Sequence, residues 1–590
     1  MTLDQTLIFA ILGCTMALFV WNYWRYDVVA GIALMAAVYT GIVPVEHAFE
    51  GFAHPAVITV ASVLVISQAL QSSGVVSLFL RYMAFARRNT LGQIAANCGI
   101  TAMLSAFMNN IGALALMLPI SIRDARKAKR SASTLLMPLS FASLLGGMIT
   151  LIGTPPNIVI ASYRADSTGE PFGMFDFTPV GLCVAAGGIL FLTFCSRFFL
   201  PKRNSDDGSM EPFKIARYVT EMRVPQSSTL VGKTVGDLEQ LCDNEASVVA
   251  IFRNGRRRLA PHTVERLYAD DILILQGDSE PLQPLFEDPA LLEAGDSEAA
   301  TDWHASADVR VMEVVVMPDS IITDTAMRDL RMHERYGVNL LAVARDRRPS
   351  RSRLKHVRFK AGDVLLLQGE PGALALLCKN LGCLAIKNRG TEITPKRGAL
   401  ITPLAFALGI LAAAVGLVPV QIAFTTVVGV LVLSRVVSLR EAYRSIEWPV
   451  IVLLGFLIPV GEALQSTGAT ELIALNLKTV AVNLPLWSLL ALVMVISMLL
   501  SDLVHNTPTA VLMAPIAYSL ALNLNLPPDA LLMAVAIGAA SPFLTPIGHQ
   551  SNTLVMGPGG YSFGDYWRLG LPLDILIVTI AVPVILLVWT

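Results

Sequence analysis

The sequence states itself twice, and each statement sets polar motifs inside apolar surroundings. Gln68-Ala-Leu-Gln-Ser-Ser-Gly74 returns as Glu462-Ala-Leu-Gln-Ser-Thr-Gly468, at an offset of 394. Asn109-Asn110-Ile111-Gly112, followed by Met117-Leu118-Pro119, returns as His505-Asn506-Thr507-Pro508, followed by Met513-Ala514-Pro515, at 396. Ile152-Gly153-Thr154-Pro155-Pro156-Asn157 returns as Ile547-Gly548-His549-Gln550-Ser551-Asn552, at 395. Matching motifs in one order at nearly one offset mark a duplication. Duplicated halves that each interrupt an apolar stretch are the pattern of secondary transporters whose site lies at the repeat interface.

Composition supports a membrane chain: 54% of the 590 residues are hydrophobic and only 15% are charged. Stretches long enough to cross a hydrocarbon core, which takes about 20 residues, recur near both ends. Residues 6–23 lack a basic leader and a small-residue cleavage site, so they read as a retained helix. The seven Cys include no C-x-x-C pair, which argues against a disulfide framework or a zinc site.

The chain divides into a first transmembrane repeat (1–204), two polar segments (205–295 and 303–390) and a second transmembrane repeat (398–590). The polar segments are themselves duplicated: Ala269-Asp270-Asp271-Ile272 returns as Ala361-Gly362-Asp363-Val364, at 92. Alternating apolar residues around Gly and Asp turns predict two small α+β domains, joined by an acidic linker over 287–302. Arg256-Arg257-Arg258 is expected at the turn between two strands.

Basic residues in short loops set orientation. Arg81, Arg87, Arg88, the run 123–130, Arg197–Arg203, the run 387–397, and Arg435, Arg440 and Arg444 belong on the cytoplasmic side, whereas residues 479–567 contain no Lys or Arg. Residues 90–121 should therefore enter and leave from the cytoplasm as a hairpin, and 484–517 from the outside. The expected fold is an all-α polytopic membrane protein of two inverted repeats. Each repeat has a re-entrant hairpin and a broken helix, with ten spans in all, and two cytoplasmic α+β domains are inserted between the repeats.

Gly153-Thr154-Pro155-Pro156-Asn157 cannot continue a helix, because Pro lacks the N–H and collides with the preceding turn. The half-helix that follows offers free N–H groups and a positive dipole end to an anion. The plainer reading of any one such motif is a kink or an interhelical hydrogen bond; their pairing across the duplication favours a site. Asp502, His505 and His549 are ionisable groups at membrane depth, which makes them candidates for proton coupling. Asp502 and His505, three apart, are expected on one face of the second hairpin. Ser501, Asp502 and His505 do not establish a hydrolase, since such local spacing defines no nucleophile–base arrangement.

On these motifs the membrane blocks resemble the divalent-anion:sodium symporter family. Asn110 to Pro119 and Asn506 to Pro515 keep its hairpin spacing, and Gly-Thr-Pro-Pro-Asn stands intact at 153–157. The resemblance implies one sodium site at Ser105, Asn109, Asn110 and Gly153, and another at Ser501, Asn506 and Gly548. It implies substrate contacts at Asn109, Asn110, Ile111, Thr154, Pro155, His505, Asn506, Thr507, His549 and Gln550. The inserted segments resemble TrkA-C domains of potassium-uptake regulators, which implies a small-molecule regulator or subunit contacts.

Departures from that pattern narrow the reading. Asn109 and His505 replace the motif's Ser, Ile111 replaces its Thr, and His549-Gln550-Ser551 replaces Thr-Pro-Pro. Lost hydroxyls and larger donors favour sulfate over a larger carboxylate. The expectation is a multi-pass protein of a bacterial inner membrane, a homodimer in the lipid bilayer, without cofactor and without nucleic-acid partner. It would couple Na⁺, or alternatively H⁺, to uptake of a small inorganic or organic anion. A di- or tricarboxylate symporter and a cation/proton antiporter are the alternatives; a channel or a receptor would be told apart by its conductance or by binding without flux.

Overall fold

In the computed structural model the described residues are 1–73 except 22, 90–200 except 129, 219–241, 247–276 except 254, 255, 260, 262 and 263, 292–293, 310–345 except 319 and 331, 348–349, 357–386, 400–473 and 484–590. Arg81, Arg87, Arg88, Lys202, Arg203, the basic run 387–397 and all of the acidic linker but 292–293 lie outside them.

The first apolar block forms α1 (Leu3–Trp21), α2 (Tyr26–Tyr39), α3 (Pro55–Ser73), α4 (Thr90–Ser105), α5 (Asn110–Lys127), α6 (Ser133–Gly147), α7 (Pro155–Thr168) and α8 (Thr178–Phe199). The second forms α9 (Ile401–Ala414), α10 (Val420–Leu433), α11 (Leu439–Ser445), α12 (Trp448–Ser466), α13 (Leu486–Val504), α14 (Asn506–Leu524), α15 (Pro528–Ala539), α16 (Gln550–Gly559) and α17 (Tyr566–Trp589). Among the described residues seven helical segments have the length and apolarity to cross a membrane, and shorter apolar helices accompany them. Several begin with Pro in the first turn, as α7, α12 and α15 do, where the missing N–H costs nothing and φ is already helical.

Burial separates the helices into two classes. Every residue of α6 but Thr134 is buried, as is nearly all of α15. Helices α8, α9 and α17 instead turn Leu190, Phe194, Leu404, Leu408, Ile575 and Leu587 outward. Large apolar side chains exposed along whole helices are tolerated only against lipid. The interrupted spans thus run through the protein interior, where their freed backbone groups can be satisfied.

The polar segments form two antiparallel sheets of one design. β1 (Val219–Arg223), β2 (Ser247–Arg253), β3 (Arg256–Leu259), β4 (Ile272–Gln276) and β5 (Leu292–Glu293) lie in the order β3-β2-β4-β1-β5. β6 (Arg310–Val316), β7 (Asn339–Arg345), β8 (Arg348–Pro349), β9 (Val364–Gly369) and β10 (Cys383–Ala385) lie in the order β10-β6-β9-β7-β8, the same order read from the other edge. The register shift between Val248 and Ala250 recurs between Leu340 and Ala342. In each sheet a buried Asp is gripped by an Arg at both carboxylate oxygens, Arg253 with Asp271 and Arg345 with Asp363, at 2.7–2.8 Å. Arg256–Arg258 is strand rather than turn, paired with β2 from Arg253 back.

The second sheet rests on the membrane helices. Val315, Ala344, Val364 and Ile386 belong to the same apolar cluster as the helical core. The Gly362 turn lies so close to α16 that a Cβ on Gly557 would stand 1.9 Å from the Gly362 carbonyl oxygen. Gly362 has φ +84°, which disfavours any side chain there.

Candidate functional site

The duplicated motifs fold into duplicated geometry. In the first half, α4 and α5 are joined by a short turn ending at Asn109; in the second, α13 and α14 meet at the single residue His505. His505 has φ +87°, a conformation unfavourable for a residue with a side chain, which closes the turn in one step. This breaks the helical register, so Asp502 and His505 do not share the helical face expected from their spacing. Ser105 Oγ donates to Ser143 O and Ser501 Oγ to Ala539 O, both at 2.6 Å. Asn157 Nδ2 donates to Thr150 O at 2.9 Å, and Asn552 Nδ2 donates to Thr545 O at 3.2 Å. Each of these bonds ties a hairpin or a half-helix to the carbonyls freed where a span breaks.

The breaks between α6 and α7 and between α15 and α16 run through turns and bends and end, directly before each half-helix, on one extended residue. Thr154 has φ −147°, ψ 143°, and His549 has φ −147°, ψ 141°. At this position His549 Nδ1 accepts from Ser551 N at 3.0 Å, capping α16 as a Thr or Ser hydroxyl would. Among the described residues the buried Thr154 Oγ1 and Asn157 Oδ1 find no hydrogen-bond partner, leaving polar capacity beside the first break.

Asn109, Ile111, Pro155, His505, Asn506, Thr507, His549 and Gln550 line one cavity of about 60 Å³. Asn110 and Thr154 lie behind its wall, each 2% exposed. With its nitrogen turned inward, the Asn110 amide reaches Ser105 Oγ (2.7 Å), Ser143 O (3.1 Å) and Gly153 O (3.2 Å). The amide NH2 fills this oxygen cradle, which would gain the ligand set of a hard monovalent cation site with the Asn110 oxygen turned inward in its place. The approach depends on glycine: a Cβ on Gly147 would stand 2.4 Å from the Asn110 amide, and one on Gly153 2.4 Å from Gly147 O. The second half gathers less. Ser501 is committed to Ala539 O, Asn506 Oδ1 accepts from its neighbour Thr507 N, and Gly548 N donates to Thr545 Oγ1.

Asp502 Oδ1 accepts from Leu544 N and Thr545 N, at 3.0 and 3.2 Å. Its carboxylate therefore anchors the broken segment, a structural task, while Oδ2 is buried without a hydrogen-bond partner.

Besides the apolar Val60, Leu64, Val450 and Leu453, two lining residues with polar groups are not legible as site residues in the sequence. Tyr26 packs its ring against His505 with centroids 5.6 Å apart, and Glu447 accepts from Asn109 Nδ2 at 2.6 Å. Neither belongs to a repeated motif: the counterpart of Glu447 at the 394 offset is Ala53. An acid directly before a Trp-Pro helix start was the one signal available. Among the described residues Glu447 is the only acidic side chain lining the cavity, and no Lys or Arg lines it.

Helices α3, α7, α12 and α14 continue past this cavity to a second one of about 40 Å³. There His54 meets Asp166 at 3.0 Å beside Tyr163 and Glu462. Arg164 and Asp529, paired through both carboxylate oxygens at 2.8 and 2.9 Å, join the α7 end to the α15 start.

Comparison with known proteins adds the family. The citrate transporter family model (CitMHS) matches residues 16–538 and 485–590. An uncharacterised transporter of Synechocystis sp. is 31% identical over 98% of this chain and 96% of its own length. Sodium/sulfate cotransporter 2 of Chlamydomonas reinhardtii is 27% identical over 58% of this chain and 40% of its own length. Sodium-dependent high-affinity dicarboxylate transporter 3 of Caenorhabditis elegans is 30% identical over 24% of this chain and 25% of its own length.

Proposed function

The chain belongs to the citrate transporter family (CitMHS), a multi-pass integral membrane transporter and not an enzyme, and from that premise we propose that it takes up a divalent anion, sulfate first, driven by a cation gradient, Na⁺ first. The observation that carries this reading is the single cavity lined from both hairpin turns and both broken segments. Half-helix starts at Pro155 and Gln550 bring positive dipole ends to it. Pro155 and Pro156 carry no N–H, Asn157 N donates to Thr154 O and Ser551 N to His549 Nδ1, so donation to an anion falls to the side chains. Asn, Thr, Gln and His side chains supply neutral donors.

Size favours sulfate. A cavity of about 60 Å³ has room for roughly four to six water-sized positions, which suits a compact oxyanion and not a citrate in this conformation. The sulfate-transporting relative supports the same choice. The family's name and the dicarboxylate relative favour the second reading, a di- or tricarboxylate symporter. The coupling cation would sit among Ser105, Asn110 and Gly153 once the Asn110 amide turns its oxygen inward; its counterpart would form around Ser501, Asn506 and Gly548 once Asn506 turns from Thr507. The two cavities along α3, α7, α12 and α14 support alternating access by an inverted-repeat fold. The antiporter alternative loses force because Asp502 is engaged by two backbone N–H groups.

The two sheets would be inserted cytoplasmic domains of the TrkA-C kind. The second, seated on α16, would transmit binding of a small regulator to the helix whose N-terminus borders the site. A homodimer in a bacterial inner membrane completes the proposal. Labelled sulfate uptake into proteoliposomes, under an inward Na⁺ gradient, an inward H⁺ gradient or neither, tests it. Accumulation with Na⁺ is expected; accumulation with H⁺ alone moves coupling to His505, His549 and Asp502, and accumulation of succinate or citrate alone replaces the substrate.

A further inference from the structure

The cavity assigned to an anion already holds one, and the chain supplies it. Glu447 is the last residue before α12, in the second half of the chain, yet its carboxylate reaches the hairpin turn of the first half. The Asn109 Nδ2–Glu447 Oε1 distance is 2.6 Å, the short separation of a charge-assisted hydrogen bond. Asn109 is otherwise held by its backbone N–H, which donates to Ser67 Oγ at 3.3 Å. The amide that a substrate oxyanion would need is thus engaged by a protein carboxylate.

We propose that Glu447 is a surrogate anion: it occupies the Asn109 donor in the empty carrier and leaves when substrate arrives. The inference rests on the anion-transport reading above and names a specificity-determining residue for it. A dianion and a carboxylate cannot share this cavity at low cost, because like charges a few ångströms apart in a poorly hydrated space repel strongly. No Lys or Arg lines the cavity among the described residues to offset them. Entry of substrate and exit of Glu447 are therefore one exchange. Two consequences follow from that exchange. Only an anion that competes with a carboxylate for Asn109 is selected. The empty carrier also returns with its donor satisfied, since even at the part-buried Asn109 a donor left without a partner costs free energy through the conformational change. Because the bond joins residues of the two halves, its release by substrate removes one tie between them, while others such as Arg164–Asp529 and Ser140–Asn552 remain.

The test compares wild type, Glu447→Gln and Glu447→Ala in proteoliposomes, with sulfate, succinate and citrate as probes. For each anion, half-saturation, net uptake into empty vesicles and exchange into vesicles preloaded with the same anion are measured. Thermal shifts in detergent give binding independently of flux. Gln keeps an acceptor and removes the charge, so half-saturation for the transported anion should fall about tenfold, the loss of one charge-assisted competitor. Ala leaves Asn109 unsatisfied in the empty state, so net uptake should fall while exchange, which needs no empty return, persists. A purely structural Glu447 would lower exchange and net uptake together and leave half-saturation unchanged; that result overturns the proposal and leaves the anion-transport reading standing. Should Ala fail to fold, the Gln half-saturation and thermal shift decide alone. A response in Glu447→Gln where wild type is silent supports the surrogate. Silence of all three proteins toward all three anions overturns both readings.

Discussion

Replacing Gly557 by Ala should detach the second sheet from the membrane helices while leaving each of them folded. The new Cβ would lie 1.9 Å from the Gly362 carbonyl oxygen, where contacts below 3.0 Å do not persist, so the two backbones must separate by at least the 1.1 Å difference. Nothing local can absorb that shift. Gly362 N donates to Val316 O at 2.9 Å, Lys360 N donates to Asp363 Oδ2 at 2.8 Å, and Arg345 holds the same Asp363. The turn therefore moves with its sheet or not at all. Overpacking of this kind costs about 1–3 kcal/mol, which lowers the docked-to-undocked ratio roughly five- to 150-fold. Hydrogen exchange followed by mass spectrometry on the full-length protein reads it directly: segments 550–559 and 357–369 should exchange faster by about that factor, and those of β1–β4 should not. Gly564→Ala, with nothing within 4 Å of the added Cβ, is the matched control. Exchange in both segments within about twofold of wild type would refute the contact and, with it, the route by which the second sheet is proposed to act on the site.

Three further outcomes are expected. Asn506→Ala should abolish coupled uptake, with a loss of stability limited to about 1–3 kcal/mol for the buried hydrogen bonds; a transport rate equal to wild type would remove Asn506 from the site. Asp363→Asn should destabilise the second sheet by about 2–4 kcal/mol, discounted because Arg345 is partly exposed, and a melting profile like that of wild type would show the pair to be dispensable. Burial pushes the Cys378 and Cys383 thiols up from 9.0, to about 11 and about 12. The folded form therefore holds these protons more tightly than the unfolded chain, so their contribution to stability is complete below pH 9 and is lost as pH rises through 11 and 12. Maleimide labelling at pH 8 should spare both in the native protein and reach both in denaturant.

The sequence-level sodium and substrate residues divide in space in an instructive way. Residues in the repeated motifs were legible because the duplication sampled the same backbone solution twice: Ser105 and Ser501, and Asn157 and Asn552, make matching bonds to freed carbonyls. Asn110 and Asn109, neighbours in the motif, separate into a buried cradle and a cavity wall, because α5 begins between them. Helical register decides that, and a motif does not encode it. Likewise His505 leaves the face of Asp502 through a positive φ that no spacing rule anticipates.

The linear sequence by itself determined the membrane class, the duplicated plan, the positions where helices must break and the repeated sheet design. Each of these follows from local chemistry: apolar length, the missing Pro N–H, and alternation around Gly and Asp turns. Only the tertiary structure decided that Glu447 and Tyr26 face the site, that Asp502 serves the broken backbone, and that Gly362 meets Gly557. Those contacts join residues far apart in the chain or standing outside any repeat, and their partners are chosen by how helices pack, which no local pattern records.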